Sequence, residues 1–100
     1  MDTVGLHATT ELLPTDRQGP IKPIKLTYLF DVTQSCDMMP YGNTEVPKKS
    51  LDVSNEEYFI NQIQITYADL AKLVRSDYPD IDLEEEIERL QAKALLQYMR

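Results

Sequence analysis

The sequence predicts a small α+β fold, and three observations carry that prediction. Residues 24–32 alternate apolar and polar side chains as a half-buried strand does. The last third of the chain holds two helix-start signals, each followed by an apolar stripe at helical spacing. The chain also changes character near Leu51, because five of its six prolines and all three glycines lie upstream. Those residues punctuate the first half, which leaves the more regular patterning to the second.

In the strand, Ile24, Leu26, Tyr28, Phe30 and Val32 share one face, with Lys25, Thr27, Leu29 and Asp31 opposite. Leu29 on the polar side implies that this side is partly covered. A lone strand has no ladder to join, so a second strand is expected over about 58–65, where Ile63, Ile65 and Tyr67 alternate with polar residues. A competing signal lies in the same stretch. Ser54-Asn55-Glu56-Glu57 fits a capping box, and Phe59, Ile63, Tyr67, Leu70 and Val74 fit a helical stripe, so one long helix is the alternative.

Thr66-Tyr67-Ala68-Asp69 forms a second capping box and starts a helix over about 67–76, which must stop before Tyr78-Pro79. Asp82 caps the next helix, over about 83–99, and Glu84 and Glu85 stand in its first turn, where the helix dipole favours acids. Leu83, Ile87, Leu90, Ala94 and Tyr98 form its stripe. Glu85 and Arg89 are spaced as an i,i+4 ion pair. The antiparallel sheet with two C-terminal helices on one face is the predicted architecture.

The remaining segments read as connections. Residues 1–23 are expected to form an extended N-terminal arm, because Pro14, Pro20 and Pro23 remove donors and fix the backbone. A short helix around Glu11-Leu12-Leu13 would be stopped by Pro14. Residues 33–53, with Pro40, Gly42, Asn43 and Pro47, read as a long loop inside a single domain spanning 24–100.

Composition narrows the function classes. The formal charge is −7, and residues 51–100 hold eleven acids and five bases, so the acidity lies mostly in the second half. Such a surface repels nucleic-acid phosphates and suits a basic partner, or none. The single cysteine, Cys36, favours a reducing compartment. The chain opens without a secretory pattern and has no apolar run of membrane-spanning length, so a cytoplasmic location is expected.

No catalytic constellation stands out. The only histidine, His7, lies in the arm, and Asp37 beside Cys36 would raise the thiol pKa. The run Asp77, Asp80, Asp82, Glu84, Glu85, Glu86 and Glu88 invites a calcium reading. The EF-hand register fails, because Glu85 falls where glycine is required and Gln91 where glutamate is. A solvated helix N-terminus explains the same acids. The turn between the helices resembles a helix-turn-helix unit, yet its second helix is acidic where a DNA reader is basic. Residues 17–23 match an R-x-x-P-x-x-P ligand pattern, which arises often by chance in connecting segments. No metal or other cofactor is expected, and no enzyme activity.

What remains is surface. Met38, Met39 and Tyr41 would sit awkwardly in a free loop, and both residue types adapt well to contact surfaces. Leu95, Leu96 and Met99 widen the apolar arc at the end of the last helix beyond what one facing helix covers. The sheet could cover that arc, as could a second copy of the chain or another protein. The leading expectation is therefore a protein-interaction module, a small subunit or adaptor that uses these six residues. The second is an acidic inhibitor of the phage-antagonist kind, whose carboxylates at 77–88 would mimic nucleic acid and block a basic groove.

Overall fold

The computed structural model describes the backbone of residues 2–16, 18–42 and 44–99; the side chains described exclude those of 2, 35–41 and 44–50. Among the described residues four strands and two helices follow one another: β1 (Asp2–Leu12), β2 (Ile24–Tyr41), β3 (Thr44–Ile60), β4 (Ile63–Ile65), α1 (Tyr67–Asp77) and α2 (Leu83–Tyr98). The strands form one antiparallel meander in the order β1-β2-β3-β4. The α+β architecture with two C-terminal helices is the one that the sequence predicts.

The face assignment of the central strand holds residue by residue. Leu26, Tyr28, Phe30 and Val32 are buried, each at most 2% exposed, while Leu29 is half-buried on the opposite face. Ala8 and Leu12 of β1 and Tyr58 of β3 join them, and Leu70, Val74, Leu83, Leu90 and Ala94 close the core from the helices. Burial of these apolar side chains is the main source of stability. The opposite face carries threonine pairs: Thr3 bonds Thr33 and Thr9 bonds Thr27, hydroxyl to hydroxyl, at 2.9 Å each. Such cross-strand pairs suit a face turned to water.

Two connecting segments differ from expectation. The extended arm is instead an edge strand through Leu12, paired with β2 over its whole length. Its apolar residues Val4, Leu6, Ala8 and Leu12 do alternate, but Gly5 and Ala8 are weak strand formers and Thr10 interrupts the apolar face. No helix forms at Glu11-Leu12-Leu13. The long loop over 33–53 is instead the continuation of β2 and β3, joined at Gly42, whose φ of 63° is readily adopted by glycine. Pro40 and Pro47 hide these strands in the sequence, because proline removes a ladder donor and is tolerated only where an edge is free.

The strand expected at 58–65 is two strands. Asn61 and Gln62, with φ of 49° and 73°, turn the chain between the end of β3 and the short β4. Asn61 holds this turn against β2: its Oδ1 accepts from the Lys25 amide at 3.0 Å, and its own amide donates to the Lys25 carbonyl at 2.9 Å. The alternative long helix from Ser54 does not form. Asn55 there has φ 51°, and the register shifts between Leu29 and Asp31, so Asn55 and Glu56 together face Phe30 in a β-bulge.

Both helices begin at the capping residues that the sequence marks. Thr66 accepts from the Asp69 amide at 3.1 Å. Asp82 accepts from the amides of Glu84 and Glu85 at 3.1 and 3.4 Å. The expected Glu85–Arg89 pair is replaced by Glu86–Arg89 at 3.1 Å, one turn position closer. Asp82→Ala should therefore lower stability by about 1 kcal/mol, with Asp82→Asn nearly neutral. Urea midpoints of the two variants check this, and equal losses would assign the effect to charge instead of the cap.

Both helices lie on the core face, α2 over β1 and α1 over β3. Tyr78, after α1, is buried and donates from its hydroxyl to the Lys22 carbonyl at 2.5 Å. That bond and the packing of Ile21 on the core hold the chain at Ile21 and Lys22 against the body.

Candidate interaction surface

The longest feature of the molecule is a two-stranded ribbon. β1 ends its pairing at Gln34, so Ser35–Tyr41 pair only with Thr44–Ser50 among the described residues. At about 3.4 Å per residue these seven-residue arms reach roughly 24 Å past the four-stranded body, and the chain measures 64 × 26 × 24 Å overall.

Met38, Met39 and Tyr41 all lie in this ribbon, in register with Pro47, Val46 and Thr44. Their side chains lie outside the described residues. Cys36 stands opposite Lys49 in the same ribbon, in a strand and not in a loop. The ribbon holds two acids, Asp37 and Glu45, and two bases, Lys48 and Lys49, so it is neutral while the body carries the whole net charge.

The helix-end residues divide. Leu95 packs against the core, whereas Leu96 and Met99 are 64% and 66% exposed. The expected wide arc is thus a closed edge at Leu95 and a small open patch at the other two, with Tyr98 half-exposed beside them.

The acidic run is distributed and largely occupied. Asp82 caps α2, Asp80 accepts from the Thr15 hydroxyl at 2.7 Å, and Glu86 pairs with Arg89. Asp77 is half-buried at the end of α1, and Glu84, Glu85 and Glu88 are exposed on α2. Among the described residues, no three His, Cys, Asp or Glu side chains gather closely enough to hold a metal ion. His7 is exposed on β1, in register with Leu29. Among the described residues, no helix is long and apolar enough to cross a membrane.

One arrangement escaped the sequence reading. Tyr28 stacks on Phe30 and on Tyr58, with ring centroids 4.8 and 5.4 Å away, and Tyr58 meets Tyr67 at 5.5 Å in a tilted contact. The Tyr28 hydroxyl donates to Glu56 Oε1 at 2.5 Å. The shared face of Tyr28 and Phe30 is legible in the sequence; the Tyr58 and Glu56 contacts are not, because they need the β2–β3 register and the bulge. Burial raises the Tyr28 pKa far above the ordinary 10.0, and the Glu56 hydrogen bond and charge raise it further. Burial also raises Tyr58, then the Glu56 charge, and Tyr78 is raised by burial and by Asp77.

These hydroxyls stay protonated in the fold while the unfolded chain releases their protons above pH of about 10. Their contribution is complete below that pH and is lost as pH rises through the folded values. Urea midpoints should accordingly hold steady from pH 8 to 10 and fall above it, and Tyr28→Phe should flatten the fall. An alkaline slope unchanged in Tyr28→Phe would exclude that hydroxyl as a source.

Comparisons with protein-family models, curated proteins and solved structures gave no match to this chain. Its site is read from its own geometry.

Proposed function

We propose that the chain is a non-enzymatic protein-interaction module, a small subunit or adaptor that holds another protein through the β2–β3 ribbon. The observation that carries this reading is the ribbon itself. An isolated two-stranded hairpin is marginally stable in water, so a ribbon projecting past its sheet gains stability from a surface laid against it. Met38, Met39, Tyr41 and Val46 supply adaptable contact chemistry along it. Pro40 and Pro47 withhold backbone donors from both ribbon strands, which favours contact through a face over strand addition at an edge. Leu96 and Met99 offer a smaller second contact.

The acidic-mimic alternative has less support, because Asp80, Asp82 and Glu86 already serve hydrogen bonds or an ion pair within the chain. Salt separates the two readings. Binding through the ribbon should change little with ionic strength, while a nucleic-acid mimic should weaken steeply. Chemical cross-linking of the captured complex gives the direct test. Cross-links from Lys48 and Lys49 to the partner are expected, and cross-links confined to the helical layer would overturn the proposal.

A further inference from the structure

We draw no further inference here: the strongest candidate, the hollow on the open face of the sheet between His7, Leu29, Asp31 and Glu57, rests on two carboxylates, of which that of Asp31 already accepts from Asn55, and nothing in the structure shows what fills it.

Discussion

Replacing residues 35–50 by an Asn-Gly turn is expected to leave the body folded and to weaken partner capture severely. Gln34 and Leu51 stand opposite one another in the β2–β3 register, so a two-residue turn of the favoured hairpin type can join them. The described core ends before that point, with Val32 buried and Val53 packed against it. The shortened chain should therefore keep its thermal midpoint within a few degrees, while affinity for a captured partner falls by roughly a hundredfold, the loss expected when a contact hot spot is removed. Met38→Ala with Met39→Ala should give a smaller loss in the same direction. Unchanged capture by the shortened chain would transfer the contact to the helix end, where Leu96→Ser and Met99→Ser would then carry the effect.

The second large effect is expected in the core. Phe30→Ala should cost about 3–5 kcal/mol, as truncation of a large buried aromatic side chain does. A small domain holds only about 5–15 kcal/mol in all. Phe30 is 1% exposed and stacks on Tyr28, which in turn stacks on Tyr58, so the truncation removes one end of a continuous row and opens a void under the helices. Tyr28→Phe keeps the row and deletes only the bond to Glu56, for which about 1 kcal/mol is expected. Urea unfolding of the pair gives the contrast. Equal losses in the two variants would show that the hydrogen bond, and not the packing, dominates at this site.

The legible parts of the fold were those specified by neighbours in sequence. Residues 24–32 alternate strictly because one face of β2 meets the helices and the other meets solvent, and a period of two survives in the sequence without knowledge of the partner strand. Thr66 and Asp82 bond amides two or three residues ahead, so their roles are local as well. β1 and the ribbon depend on pairing across the chain. β1 uses small residues at a sheet margin, where burial is partial, and the ribbon has no covering layer within the sheet to impose an alternation. Asn55 shows the limit most clearly. Ser54–Glu57 carries a sound helix-start pattern, and pairing with β2 overrides it with a bulge.

The candidate surface divides along the same line. That Leu95 turns inward while Leu96 turns outward follows from the 100° step of the helix, but only once the core direction of α2 is known. Met38, Met39 and Tyr41 stand out because apolar residues suit a loop poorly, and their neighbours in register cannot be named without the β2–β3 pairing. The Tyr28–Glu56 bond needed the bulge, which has no signature in composition.

The bulge also sets an angle. Asn55 Nδ2 donates to Asp31 Oδ2 at 2.8 Å, which clasps the two strands inside the body, three residues before β1 ends its pairing at Gln34 and the ribbon begins. Ten residues separate Asp31 from Tyr41, about 34 Å of strand, and over that lever a pivot of 10° at the clasp swings the tip by roughly 6 Å. One side-chain amide thus aims the far end of the molecule, and small adjustments at residue 55 would steer where a partner is met without touching anything the partner sees.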